Sequence, residues 1–500
     1  MASSTSRAPH EGIELQAIPD ELHISQQTSR NGSAYASSLN PALDERQSPR
    51  NRSPAQANEC NIPQSRRAIL VVIAASTLTF TGCGLNFAFG VYQELYETLD
   101  GPFSHASPAI IDLIGTLAVS LMTVLAPLAS AWTKAYSPRT MTLIGACIFF
   151  LANILASFGQ QLWHFILTQG VMLGCGTCLT YIPAVTIAPG WFDTRRGLAM
   201  GIILSGTGVG GVVWAPALRS LNASIGFRNT LRLTGGIAFI LICAAAFVLK
   251  WDPDSERRNL IEYPPTSSKS FGARFIHIKI PLVNWRIART KIFVAEALGA
   301  MLQAAAYYTP VYFFSAYART LGYSAASGAS FIAISNASSA MGKVVLGYVA
   351  DRTGRINTLL VCTVISAVSA LGLWFPSTSV AVDEGQKAKS LFIAFTILYG
   401  IFAGAYTALF PTVLVELFGV QHFASVNGFL YMVRGFGTLL GTPIAGALIR
   451  SSGAGVSTGF GHKAMDYTKP SVMVGSLLAA ATVSVFWVRL EAGGVTKWKA

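Results

Sequence analysis

Charge is scarce in this 500-residue chain: Asp, Glu, Lys and Arg make up 12% of it, about half of the roughly 25% that a water-soluble domain uses to coat its surface. A chain so poor in charge cannot face water over most of its area, which excludes an ordinary soluble enzyme or binding module. Cysteine is sparse too. The seven cysteines, at 60, 83, 147, 175, 178, 243 and 362, lie almost all inside apolar runs, so no disulfide framework is expected. Cys175 and Cys178 form a CxxC within a helix-length apolar segment, where packing is the expected role. Residues 1–65 have few aromatics and lack the apolar core of a signal peptide; rich in Ser, Asn, Gln, Pro and Arg, they read as a disordered tail. The soluble segments hold no nucleophile–base triad, metal-ligand cluster or phosphate loop, so no catalytic residue, metal or cofactor is assigned.

What is abundant is apolar bulk, 52% of residues, together with 46 glycines. Small residues let helices approach closely in lipid, where water-soluble cores use large ones. Twelve apolar runs near the length a bilayer demands lie at about 68–92, 108–131, 140–158, 163–188, 197–218, 229–249, 292–316, 325–350, 357–376, 390–412, 423–449 and 470–489. They do not alternate in polarity as barrel strands do. The expected fold is therefore an all-α membrane protein of twelve transmembrane helices. Connections are short except for a charged stretch at 251–291, which divides a six-helix bundle at 66–250 from a second at 292–490, with a short tail at 491–500.

The net charge of +13 does not point to nucleic acid, because the basic residues sit between apolar runs rather than on one soluble face. They read as topology signals. With the termini inside, 20 of the 28 Lys and Arg flanking the spans fall on the cytoplasmic side, nine of them between Lys250 and Lys291. Both termini are thus expected in the cytoplasm, most simply at the plasma membrane. Asn222-Ala223-Ser224 then faces outward between spans five and six as a glycan acceptor.

The strongest local motif is Gly347-Tyr348-Val349-Ala350-Asp351-Arg352-Thr353-Gly354-Arg355, at the cytoplasmic end of span eight. It resembles the G-x-x-x-D-R-x-G-R loop of the major facilitator superfamily. Gly347 permits close helix approach, and Asp351 can face a neighbouring helix N-terminus, where the dipole favours an anion. Arg352 and Arg355 can pair with carboxylates of adjacent helices, so that Gly347, Asp351, Arg352, Gly354 and Arg355 form a conformational lock. The first-half copy, Ala126 to Ala131 and on to Arg139, has lost the acidic residue and the first arginine, so the lock is assigned to the second copy alone.

Asn86 with its neighbours Gly84–Gln93, the run Trp191–Gly201, the glycines of 205–211, and Gly437–Gly446 are similar to the monocarboxylate-transporter-like branch, especially its fungal members. That resemblance implies a major facilitator fold with a central cavity and alternating access. Animal lactate carriers place a lysine in span one and an aspartate–arginine pair in span eight. Here Asn86 and Phe87 stand near the first position, and Ser339 and Lys343 at the pair, so proton-coupled lactate transport is not expected. The Gly206-x-Gly208-x-x-Gly211 pattern also matches a dinucleotide fingerprint, but inside a membrane span it has no βαβ unit to serve.

Ionisable residues within spans are costly and default to functional hypotheses. Arg434 lies 11 residues into span eleven, roughly 16 Å deep, near the midplane where such carriers bind substrate. It is the leading candidate for an anionic or polar substrate group, against the alternative of a structural arginine paired to a helix terminus. Lys343, Asn86 and the tyrosines of span seven, Tyr307, Tyr308 and Tyr312, join it as candidate substrate contacts; aromatic packing against lipid is the competing role for the tyrosines. Pro310 is expected to break span seven for gating. Asp112 and Glu296 are weak candidates for proton coupling. The expected function is alternating-access transport of a small organic acid or amphipathic metabolite, as export of a fungal secondary metabolite. The alternatives are uptake of a monocarboxylate or vitamin and, from another class, a non-transporting membrane sensor. The expected partners are the lipid bilayer and the small-molecule substrate.

Overall fold

In a computed structural model the protein is described at residues 64–97, 108–192, 194–262, 283–379, 385–452 and 463–493. The expected disordered tail to residue 63, the linker stretch 263–282 and the last seven residues lie outside the described residues. Among the described residues every element is helical. This follows from the solvent: in hydrocarbon each backbone N–H and C=O must be satisfied within its own segment.

Twelve helical rods run in order. They are α1 (Arg66–Gln93), α2 (Pro108–Val124 with Ala126–Ala135), α3 (Pro138–Phe158), α4 (Leu162–Trp191), α5 (Arg196–Ile225) and α6 (Phe227–Val248). After the linker come α7 (Lys291–Thr320), α8 (Ala325–Thr353) and α9 (Arg355–Ser379). The long helix Gly385–Ser452 is broken at Gly419, where φ is +73; its arms are α10 (385–418) and α11 (420–452). The last rod is α12 (Ala464–Gly493). Taken singly, eight helices among the described residues are long and apolar enough to cross a bilayer, or nine with the bent α2. The count rises to twelve because α10 and α11 are separate arms, and because α7 and α8 dilute their apolar residues with buried polar ones.

Local sequence sets the ends. Ser137 caps α3 by accepting from the Thr140 N–H at 3.0 Å, Thr290 caps α7 through Phe293, and Ser324 caps α8 through Ser327. Gly354, with φ +99, turns the chain from α8 into α9 in a conformation that a side chain would oppose. Several rods overrun the apolar runs, α5 to Ile225 and α12 to Gly493, because a helix continues past the hydrocarbon as long as its backbone pairing does.

Three features add to or correct the outline drawn from the apolar runs. Span two is not straight but bends by 46° between its two segments. Pro310 does not break α7, which runs through it continuously; one missing N–H is tolerated where neighbouring helices cover the site. The charged linker is not mere loop, since Pro253–Glu262 is helical, with Asp252 accepting from the Ser255 N–H at 3.0 Å.

Across the two six-helix groups, the most extensive packing is α5 on α8. Gly197 meets Gly347, Gly201 meets the Lys343 backbone, and Gly208 meets the Asn336 carbonyl. Each step up α5 is matched by an equal step down α8, so the helices lie antiparallel with backbones nearly touching. The α2–α11 pair makes a second seam, where Gly435 packs on Thr123 and Val124.

Candidate functional site

At one end of the α5–α8 seam, Asp351 closes the two groups onto each other. Its carboxylate accepts from the backbone N–H of Gly197 at 2.8 Å and of Leu198 at 2.9 Å. Those are first-turn donors of α5 with no intrahelical partner, at the positive end of the helix dipole. Arg355 donates back to Asp351 at 3.1 Å and approaches Glu416 of α10 at 3.7 Å. Glu416 in turn lies within electrostatic reach of Arg196 and Arg489. Arg352 takes no part in this cluster: it is exposed, with its guanidinium 4.5 Å from the Tyr348 ring.

Deeper in, Arg434 on α11 is buried to 6% exposure among aromatic rings. Its guanidinium carbon lies 5.0 Å from the Phe410 ring, 5.4 Å from Tyr406 and 6.0 Å from Tyr431. Rings at these distances attract a cation through their quadrupole, most strongly where water is excluded. Tyr431 is also 3.2 Å, hydroxyl to hydroxyl, from Tyr181 of α4, so the cage reaches the other six-helix group. The Arg434 Nη1 has no hydrogen-bond partner.

Glu296 of α7 stands beside this cage. It is 1% exposed, neither carboxylate oxygen has a hydrogen-bond partner, and Arg434 is the charge that acts on it. The register agrees. Gly437 meets Met301 and Gly441 meets Ala305 on the parallel helices α11 and α7, which puts Glu296 about 3 Å below the level of Arg434. Two turns from each of them, Gln303 on α7 and Asn427 on α11 also bury amides without partners. Buried polar atoms are ordinarily paired, so these unpartnered groups mark the α7–α11 interface, called the chamber below, as the candidate binding region.

The other expected residues fall around it. Lys343 is buried on α8 and donates to Thr207 of α5 at 2.6 Å, bridging the two groups. Tyr308 stacks on Phe87 of α1, centroids 5.8 Å apart, and on Tyr312 at 6.1 Å, whereas Tyr307 turns to Tyr399 within its own group. Asn86 lines a small cavity of about 30 Å³ inside the first group, with Gln169 and Asn153, and donates to Thr177 at 3.3 Å. The side chain of Asp112 lies outside the described residues. Asn222 sits in the last helical stretch of α5, with both amide atoms shielded and without partners.

Tyr406, Phe410, Tyr431 and Tyr181 were not expected at the site. A signal existed: Tyr406 and Phe410 are four residues apart, and Tyr431 and Arg434 three apart, so each pair shares a helix face.

Comparison with known proteins follows the same lines. Residues 68–383 match the family described as Major Facilitator Superfamily, and residues 297–484 that described as Sugar (and other) transporter. The MFS transporter asaE of Aspergillus flavus is 25% identical over 458 residues, 91% of this chain and 94% of its own length. The agnestins efflux protein AgnL12 of Paecilomyces divaricatus is 26% identical, over 77% of this chain and 81% of its own. Monocarboxylate transporter 11 of Homo sapiens is 26% identical, over 82% and 81% respectively.

Proposed function

The chain belongs to the major facilitator superfamily, and from that premise we propose that it carries a small organic anion, bound at Arg434, across the membrane together with a proton held by Glu296. It is a multi-pass membrane transporter rather than an enzyme. The bundles at 66–250 and 292–490 rock about the central chamber, with the termini, the Asp351 cluster and the 251–291 linker on the cytoplasmic side of the plasma membrane. A ring-bearing or amphipathic acid suits the cage, because its flat face stacks on Tyr406, Phe410 or Tyr431 while its carboxylate meets the guanidinium in a bidentate pair.

The observation that carries this reading is an unpartnered carboxylate and a partly unpartnered guanidinium, both buried and at nearly the same level of the packed helices α7 and α11. An ionised Glu296 satisfies Arg434 and keeps an anion out. Protonation removes that competitor, so proton and anion load together and the site keeps its net charge. Outward flow of a metabolite is the first reading, supported by the efflux name of the Paecilomyces relative. The Glu296–Arg434 pair favours a second, uptake, since an inward proton gradient drives a co-loaded anion inward.

Flux in proteoliposomes under an imposed pH gradient tests both. Arg434→Ala is expected to abolish anion-dependent proton movement while the protein still reconstitutes. Undiminished flux in that variant refutes the site, and the sign of flux under the gradient separates export from uptake.

A further inference from the structure

The Asp351 end of the molecule holds a second polar cavity, of about 80 Å³, whose α11 wall ends about 15 Å along the helix from Arg434. It is walled by four separate pieces of chain: the ends of α2 and α4, with Lys134 and Gly190; the linker, with Trp251, Asp252, Arg258 and Asn259; and the start of α11, with Gln421. Asp252 is 7% exposed. One of its oxygens caps the linker helix through the Ser255 N–H, but Oδ1 has no partner, nor has the indole Nε1 of Trp251 or the amide Nδ2 of Asn259. Gly190 makes room for this carboxylate, since a Cβ there would collide with Asp252 Oδ1. One unpaired acceptor and two unpaired donors therefore belong to residues that line a space able to hold several waters at 10–15 Å³ each, or one molecule of a few heavy atoms.

We propose that this cavity is a regulatory ligand site for a small organic acid that also carries a hydrogen-bond donor, an α-amino or α-hydroxy acid. The donor goes to Asp252 Oδ1. The carboxylate goes to the indole N–H of Trp251 and the Asn259 amide, with Lys134 and Arg258 giving the wall a net positive charge. Both six-helix groups contribute walls, so the site is complete only while the Asp351 end is closed. An occupant stabilises that state by the difference in its affinity for closed and open forms, and so slows the transport cycle. Only this effect on flux rests on the transport reading; binding stands without it.

The test is isothermal titration of the full-length protein in lipid nanodiscs with glycine and with glycolate, against acetate and methylammonium, which lack the donor or the acid. Saturable binding of glycine or glycolate, but of neither control, is expected. Asp252→Asn should weaken it at least tenfold, with little change in melting temperature, because Asn caps a helix as well as Asp does. Asn259→Ala should weaken it several-fold, and Arg434→Ala should leave it intact. Equal binding of acetate, no binding of either acid, or binding that survives Asp252→Asn overturns the proposal. Loss in Arg434→Ala alone places the ligand in the transport chamber and also overturns it.

Discussion

Asp351 of α8 grips the N-terminus of α5 through Gly197, oxygen to backbone nitrogen, at 2.8 Å. A second bond to Leu198 and the Arg355 guanidinium complete a cluster that must come apart whenever this end opens. Hydrogen bonds to a charged group contribute about 1.5–3 kcal/mol each. Asp351→Asn keeps the shape, removes the charge and leaves one acceptor for two donors. It should shift the balance toward the form open at this end by roughly 10-fold or more. Spin labels at the exposed Thr194 and Thr353 should report a new, longer distance population; an unchanged distribution would show that the cluster does not hold the state.

The glycine seam makes a sharper steric prediction. A Cβ on Gly208 would stand 2.5 Å from the Asn336 carbonyl oxygen, whereas one on Gly446 meets nothing within 4 Å. Both lie in helices, where alanine is favoured over glycine by about 1 kcal/mol. Gly446→Ala should therefore transport normally and melt at the same temperature or higher. Gly208→Ala should fold, because the two groups can part, yet lose most of its flux since α5 and α8 no longer close. Equal flux in the two variants would remove the seam from the transport cycle.

Much of this architecture is legible in the amino-acid order. Apolar runs of bilayer length carry the twelve rods, and the Gly347–Arg355 motif carries the identity of the seam, because Gly354 and Asp351 each answer a local demand of backbone angle or helix dipole. The chamber is less legible. Arg434 and Glu296 stand out as charges within apolar runs, but their proximity depends on the register of α7 against α11, which is fixed by backbone contacts at Gly437 and Gly441. The aromatic cage is harder still, since Tyr and Phe pack against lipid as readily as against a cation. The bend in α2 does have a local signal, Pro127 in the first turn after the break, whereas the continuity of α7 through Pro310 comes from tertiary packing, which no local signal encodes.

Glu296 supplies a test of proton coupling that leaves the fold in place. Glu296→Gln mimics the protonated acid in size and charge. If loading an anion requires that proton, the wild type should accumulate the anion faster as the pH on the loading side falls. The glutamine variant should bind anion without regard to pH and lose net proton-driven uptake, while one-for-one anion exchange survives. A pH response identical to that of the wild type would move the proton site elsewhere.

The hydroxyl contact between Tyr181 and Tyr431 joins the six-helix groups beside the guanidinium. Each ring also packs edge-on against the other, 5.8 Å between centroids, so replacing tyrosine by phenylalanine removes the hydrogen bond and keeps the packing. A bond of this kind contributes about 1 kcal/mol. If it forms only when the groups close around the chamber, Tyr181→Phe and Tyr431→Phe should each reduce flux about five-fold. The double variant should be no worse than either single one, because the second substitution removes a partner already lost. A double variant whose defects multiply would mean that the hydroxyls act separately, each on the substrate rather than on one another.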